Sequence, residues 1–207
     1  MNRNAAKAGE RALNTAVFMA KLTRELTPYE RDILFACLPP ERQARFLRAK
    51  SPAGQAEILC AYGLLRVALR LKCGWRTLPA VALSDSGKPY FPDYPGVRFN
   101  LSHTDGAVIA GVSDGPIGVD IEKARPMRPR LTRRVAGTDD LETFFRVWVA
   151  AEAVGKRDGR GVWPVLRDGV PPLSDAAYRP LDAWPGYFAA CALHAPGVPV
   201  ETRLYIV

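Results

Sequence analysis

The stretch from Val97 to Glu122, VRFNLSHTDGAVIAGVSDGPIGVDIE, contains three strand-like segments in quick succession. The first two are Val97 to Ser102 and Ala107 to Ser113, both rich in apolar residues. Asp114-Gly115-Pro116 supplies turn residues before the third segment, Ile117 to Glu122. The middle of the chain is therefore predicted to be a run of β-strands.

Helical and strand-like segments flank this run without a regular order. Thr15 to Leu22 predicts a strand, and Thr27-Pro28 predicts the start of a helix. Ala56 to Lys72 carries apolar residues at helical spacing. Further expectations are a helix from Asp139 or Asp140 to about Lys156, a strand at Leu78 to Leu83, loop-rich segments at Ser84 to Tyr94 and Val162 to Pro180, and strands at Tyr187 to Leu193 and Thr202 to Val207. Because these elements form no regular βαβ series, the sequence predicts an α+β fold.

Composition narrows the class of protein. The chain has 207 residues, of which 48% are apolar and 24% charged, as expected for one large globular domain or two small halves. Its longest apolar runs fall far short of the roughly 20 residues that a membrane span needs, and the N-terminus lacks the apolar core of a secretory signal. Four scattered cysteines without a CxxC pair and only two histidines make a zinc site unexpected and favour a reduced, cytoplasmic protein.

The charge balance indicates an anionic partner. Lys and Arg number 29 against 21 Asp and Glu, which gives a formal net charge of +8. Most of the excess is arginine, with 22 Arg to 7 Lys, and arginine suits bidentate binding of phosphate or carboxylate. Charge alone does not identify the anion.

Acidic residues on two predicted elements form a candidate metal site. Asp120 and Glu122 lie two apart on a strand, so both side chains point to the same face. Glu152 and Lys156 lie one turn apart on the predicted helix. Three carboxylates suit a hard cation such as Mg²⁺, which completes its shell with water and phosphate oxygens. A solvated polar face and a surface Glu–Lys pair are the alternatives.

Several motifs together resemble the 4′-phosphopantetheinyl transferase superfamily, in particular its two-halved, surfactin-synthetase-activator type. The matching segments span about Thr15 to Leu193 and are Gly87-Lys88-Pro89, Phe99-Asn100-Leu101-Ser102-His103, Ile117 to Glu122, and Trp148 to Gly161 with the pattern WxxxEAxxKxxGxG. Pro185-Gly186-Tyr187 and the apolar segment after it resemble the family's late strand.

The resemblance implies two similar α+β halves with coenzyme A in the cleft between them. The expected division is a tail at 1–14, a first half at 15–115 that contacts the coenzyme A 3′-phosphate and adenine, and a metal-binding half at 116–207. It also implies transfer of phosphopantetheine from coenzyme A to a serine of an acidic apo carrier protein of fatty acid, polyketide or nonribosomal peptide synthesis. A cleft within one chain favours a monomer.

The resemblance also implies roles for individual residues. Those expected to hold Mg²⁺ are Asp120, Glu122 and Glu152, and those expected to contact coenzyme A are Arg42, Arg45 and Arg48 at the 3′-phosphate, Lys88 and Pro89 at the adenine, and Ser102, His103 and Lys156 at the phosphates. Glu122, Glu152 or a metal-bound water could take the serine proton. For His103 taken alone, a structural hydrogen bond in a turn is the alternative.

A departure from the family and the excess of arginine keep other functions open. The family commonly has lysine immediately before the helix glutamate, where this chain has Ala151. A non-catalytic relative that binds coenzyme A or a nucleotide is therefore one alternative, and a basic nucleic-acid-binding protein is another. The connector from Lys123 to Arg134 is rich in arginine and is predicted to be a short docking element for an acidic carrier protein. We expect no nucleic-acid or membrane partner.

Overall fold

Helices and strands are mixed along the part of the chain that the structure describes. This computed structural model describes residues 15–49, 51–169 and 178–207, and the predicted tail at 1–14 lies outside them. The strands are β1 (Thr15–Lys21), β2 (Ala82–Leu83), β3 (Pro89–Tyr90), β4 (Arg98–Thr104), β5 (Ala107–Ser113), β6 (Gly118–Lys123), β7 (Tyr178–Leu181), β8 (Tyr187–Ala192) and β9 (Val200–Ile206). The helices are α1 (Pro28–Ala36), α2 (Pro40–Arg48), α3 (Pro52–Cys73), α4 (Pro129–Ala136), α5 (Leu141–Asp158) and α6 (Val162–Asp168). The predicted α+β class is confirmed.

The first sheet has the strand order β4-β5-β1-β9 and carries α3 on one face. Its pairs are antiparallel except for β9, which runs parallel to β1. The Ser51 side chain caps the start of α3 by accepting a hydrogen bond from the Gly54 N–H. Gly74 ends this helix with a φ of 70°, a conformation that glycine adopts without strain.

The second sheet has the order β6-β8-β7, is antiparallel throughout, and carries α5. The Asp140 side chain caps α5 by accepting from the Thr143 N–H, and Gly159 ends the helix. A strand, a long helix and two further strands therefore follow each other twice along the chain, as β1-α3-β4-β5 and as β6-α5-β7-β8. In both series the first strand lies beside the last strand in the sheet.

The two sheets pack face to face between the two long helices. Side chains alternate along β1, so that Phe18 lies in the cluster under α3 whereas Val17 and Met19 face the second sheet. Ile109 of β5 meets Val119 of β6 in that second cluster. A third cluster of small apolar residues joins the second sheet to α5. The layers follow in the order α3, first sheet, second sheet and α5. The first sheet is therefore covered on both faces, which explains why β1 is apolar on both faces.

The structure also corrects several predicted boundaries. The long third helix begins at Pro52, four residues before its predicted start, because Ser51 supplies a cap. Only Ala82–Leu83 of the predicted strand at Leu78 to Leu83 is a strand, and it pairs with β3. The connector after Lys123 contains α4, and the predicted loop after Val162 begins with α6. The predicted division of the chain near Gly115 stays a prediction. Strand β9 follows Gly115 in the sequence but lies in the first sheet.

Gly118 at the start of β6 allows the strand to approach α5. A Cβ atom at this position would overlap the carbonyl oxygen of Ala153 and the backbone nitrogen of Arg157. We predict that Gly118→Ala lowers the free energy of unfolding by more than about 2 kcal/mol, because backbone atoms of α5 must move. Urea denaturation measures this change. Gly96→Ala is the control, since its Cβ meets open space; equal stability of the two variants would contradict the prediction.

Candidate functional site

Polar side chains on alternate residues of β4 contact β6 and join the two sheets. Because alternate residues of a strand share a face, Asn100, Ser102 and Thr104 all point toward β6. The Asn100 side chain accepts from the backbone N–H of Val119 at 2.8 Å. The Ser102 hydroxyl donates to Asp120 at 2.8 Å, and the Thr104 hydroxyl donates to Glu122 at 3.3 Å. This row of hydrogen bonds, which we call the β4–β6 seam, fixes where the two acidic side chains of β6 lie.

Asp120 is the most deeply buried acidic group of the candidate site. Only 3% of the residue is exposed. One of its oxygens accepts from the Ser102 hydroxyl and from the Lys156 ammonium group, the latter at 2.6 Å, and Lys156 also donates to Ser102 at 2.8 Å. The other oxygen, Oδ2, is buried with no hydrogen-bond partner among the described residues. Burial raises the pKa of Asp120 above its ordinary value, against the opposing effect of Lys156.

The other two predicted carboxylates lie close enough to affect each other electrostatically. Glu122 accepts from Arg125 at 2.6 Å. Glu152 is half-buried on α5, and burial raises its pKa above the ordinary value. The Lys156 charge opposes that rise, whereas the negative charges of Asp120 and Glu122 add to it. The structure therefore brings elements β6 and α5 together as the sequence predicts.

The donor set suits a hard cation in its chemistry, because it consists of three carboxylates and includes the unpartnered Oδ2 of Asp120. Among residues 15–49, 51–169 and 178–207, however, no three acidic, histidine or cysteine side chains are gathered as a metal site. Lys156 and Arg125 instead pair with two of the three carboxylates. Magnesium binding at these residues therefore stays a prediction.

His103 contacts a carboxylate that sequence reasoning missed. Its Nδ1 lies 2.8 Å from Oε2 of Glu57, and Oε1 of Glu57 accepts from the backbone N–H of Gly106 at 2.9 Å. Glu57 is 8% exposed on the sheet-facing side of α3. A glutamate among the apolar positions of a long helix was the available signal, since such a residue needs a partner when buried.

The Lys88 side chain joins the loop before β3 to the second half of the chain. Its ammonium group donates to the carbonyl oxygens of Ile117 at 3.0 Å and Arg157 at 2.9 Å. Burial lowers its pKa from 10.5 to about 8. The following residue, Pro89, is half-buried in β3. The predicted role of this segment at adenine is not tested by these contacts.

Two groups of arginines lie outside these contacts. Arg42 is half-buried and Arg48 is exposed on α2, about 120° apart around the helix axis, and the side chain of Arg45 is outside the described set. The arginines of the connector and α4 are mostly exposed, and Arg134 lies over the ring of Trp163. The exception is Arg125 of the connector, which donates to Glu122.

Ala151, which replaces the family's common lysine, faces the interior. It is fully buried in the cluster of small residues between α5 and the second sheet, with Ala153, Ala190 and Val165. The position therefore contributes to packing in this chain. None of the helices in the described residues is both long and apolar enough for a membrane span.

Comparison with known proteins finds several similar transferases. No protein-family model matches the chain. It is 31% identical to 4′-phosphopantetheinyl transferase Sfp of Bacillus subtilis (strain 168) over 57% of this chain and 64% of Sfp. It is 26% identical to another Bacillus subtilis 4′-phosphopantetheinyl transferase, over 70% of this chain and 71% of that protein. It is 31% identical to 4′-phosphopantetheinyl transferase AcpT of Escherichia coli (strain K12), over 43% of this chain and 53% of AcpT.

These similarities, together with the α+β fold, relate the chain to 4′-phosphopantetheinyl transferases. The matched region covers less than two thirds of the length of Sfp.

The half-buried Lys88 gives the protein a specific pH dependence of stability. Its pKa is about 8 in the folded chain and 10.5 when exposed, so the unfolded state binds more protons between these values. The free energy of unfolding of the native protein, compared with that of Lys88→Gln, should therefore rise as the pH increases from about 8 to about 10.5. Urea denaturation across this range measures the difference. Lys123→Gln is the control, because Asp105 raises the pKa of the exposed Lys123; a constant difference for Lys88→Gln would contradict the assignment.

Proposed function

We propose that this chain transfers the 4′-phosphopantetheine group of coenzyme A to a serine hydroxyl of an acidic apo carrier protein, releasing adenosine 3′,5′-bisphosphate. The observation that carries the proposal is the buried Asp120 of β6 paired with Lys156 of α5, near enough to Glu152 for both charges to affect the pKa of Glu152. An anionic diphosphate needs positive charge, and a hydroxyl nucleophile needs a proton acceptor. The chain offers both at one place.

The proposal includes a two-halved fold with the site between the halves. The repeated strand order of the two sheets supports it, as does the β4–β6 seam, which contributes side chains from both halves. In this arrangement a single chain supplies the whole site. A monomeric, cytoplasmic enzyme remains our prediction.

Asp120, Glu122 and Glu152 would hold Mg²⁺, with coenzyme A phosphate oxygens completing the shell. When bound, Mg²⁺ would supply positive charge that stabilises the leaving diphosphate oxygen. The unpartnered Oδ2 of Asp120 supports this assignment. A buried carboxylate oxygen without a donor is costly, and a cation would relieve that cost.

Lys156 is proposed to orient and neutralise the phosphate that is transferred. Ser102 and Asp120 hold its ammonium group, so the charge is fixed in place before substrate arrives. In the reaction the serine oxygen forms a bond to the phosphorus next to pantetheine. The bond from that phosphorus to the bridging oxygen breaks, and the electron pair leaves with adenosine 3′,5′-bisphosphate.

Glu152 is proposed to accept the serine proton. Its raised pKa makes it a stronger base than an exposed glutamate. Glu122 is less suited, because Arg125 already donates to it at 2.6 Å. The exposed arginines of α4 and the connector would then guide the acidic carrier protein toward the site.

Mass spectrometry of an apo carrier protein after incubation with coenzyme A and Mg²⁺ tests the proposed activity. The carrier should gain the mass of phosphopantetheine, and Asp120→Asn and Glu152→Gln should each lower the rate by about a hundredfold or more, since each removes a charged group at the reacting centre. Removing divalent cations with EDTA should also abolish transfer.

Glu142→Gln is the matched control for the carboxylate variants. This residue lies on the same helix as Glu152 but is exposed and pairs with Arg146, so full activity is expected. Equal activity of Asp120→Asn and the native protein would contradict the proposed metal site. Coenzyme A binding without modification of any carrier would favour the non-catalytic relative.

The arginines of α2 should distinguish coenzyme A from 3′-dephospho-coenzyme A. If they bind the 3′-phosphate, Arg42→Gln and Arg48→Gln should each weaken coenzyme A binding about tenfold and leave binding of the dephosphorylated form unchanged. Isothermal titration calorimetry measures both affinities. Arg167→Gln, at an exposed arginine of α6, is the control for net charge. Equal losses for the two ligands would exclude a 3′-phosphate contact.

A further inference from the structure

Trp163 on α6 is a large aromatic residue that the fold leaves half exposed. Its relative exposure is 50%, although an indole ring gains much from burial. The ring stands nearly perpendicular to that of Trp148 on α5, with centroids 6.0 Å apart, and the guanidinium group of Arg134 lies 5.4 Å from its centroid. A single exposed apolar residue is ordinary on a protein surface, so the surroundings of Trp163 decide what it can do.

Trp148 connects Trp163 with the proposed site. It precedes Glu152 by four residues on α5, so the two side chains share one face of the helix. The half-buried Trp148 therefore packs against Trp163 on one side and neighbours Glu152 on the other. A protein bound at Trp163 would consequently lie at the edge of the group that contains Glu152, Lys156 and Asp120.

Two arginines of α4 near this ring carry charge that the described residues do not balance. Arg130 and Arg134 are exposed and lie one turn apart, so they share a face of the helix. Neither forms an ion pair with a carboxylate among the described residues, whereas Arg133 of the same helix pairs with Asp139. An exposed aromatic ring beside unpaired guanidinium groups suits a partner that is acidic and also presents an apolar side chain.

We propose that Trp163, Arg130 and Arg134, which we call the Trp163 patch, form a docking surface for the acidic apo carrier protein. The indole ring covers an apolar side chain of the carrier near its acceptor serine, and the two guanidinium groups pair with carboxylates of the carrier. Tryptophan and arginine are enriched among the residues that dominate the binding energy of protein interfaces. The proposal rests on the proposed function, because that function supplies the carrier, and it adds an apolar anchor to the attraction between charges.

A packing role for Trp163 is the competing explanation. Its ring covers part of Trp148, so its removal could loosen the contact between α5 and α6. A looser α5 would displace Glu152 and Lys156, and both kcat and the affinity for coenzyme A would fall. The loss of a docking contact would instead raise the KM for the carrier protein and leave kcat and coenzyme A binding unchanged.

Steady-state transfer to two apo carriers, an acyl carrier protein of fatty acid synthesis and a peptidyl carrier domain, gives the first test. Trp163→Ala and the double variant Arg130→Gln/Arg134→Gln should each raise the KM for the modified carrier roughly tenfold, with kcat and the KM for coenzyme A within about twofold of the native values. Tyr29→Ala is the control for loss of an exposed ring, since Tyr29 is 74% exposed on α1. A native KM for the carrier in both variants, or a fall in kcat as large as the rise in KM, would overturn the proposal.

Binding of carriers that cannot react gives the second test. In these probes the acceptor serine of each carrier is replaced by alanine, so calorimetry measures affinity without transfer. Both variants should bind the probe roughly tenfold more weakly, and the double arginine variant should show a smaller dependence of affinity on salt. Urea denaturation checks that each variant is folded. If Trp163→Ala is unfolded, the arginine variant decides, because it alters only exposed side chains. Native affinity in the folded variants contradicts a docking role.

The docking proposal and the transferase proposal fail in different ways. If the native protein binds an alanine-substituted carrier but modifies no apo carrier, the transferase function fails while calorimetry still decides the role of the Trp163 patch. If transfer occurs and the variants keep the native KM and affinity for the carrier, only the Trp163 patch fails. A native protein that binds neither carrier overturns both.

Discussion

The arrangement of the two large sheets depends on one buried carboxylate, Asp120, held by a hydroxyl and an ammonium group. Ser102 on β4 and Lys156 on α5 donate to the same oxygen of Asp120 on β6, so three elements meet at one atom. A buried charge is tolerated only with such partners. A shift of β4 by one residue would turn Ser102 away from Asp120, so the register of the seam and the composition of the site are fixed together.

The parts of the fold that follow from local chemistry could be predicted from the sequence. Thr27, Ser51 and Asp140 each cap a helix with their own side chains, and such caps are visible in a sequence. The alternation of β6 likewise predicted that Asp120 and Glu122 share a face, and both interact with polar residues of β4. These features need only neighbouring residues for their recognition.

Other features depend on contacts between distant segments and could not be predicted. Glu57 meets His103 across 46 positions of the chain, and Lys88 reaches a carbonyl 69 positions away. The sequence marks both residues, Lys88 by its motif and Glu57 by its apolar neighbours, but it does not name their partners, because these are set by how α3 and α5 pack on their sheets. Helix α6 was also missed, because it is only seven residues long and contains Pro164. Pairing of β9 with β1 has the same non-local origin.

The position of β9 has a consequence for how the chain folds. This strand forms one edge of the first sheet, yet it follows the whole second half in the sequence. As the chain emerges from the ribosome, β1 must keep one edge unpaired until β9 has been made. Contacts of such long sequence separation slow folding. The exposed edge of β1 would meanwhile be open to pairing with other chains.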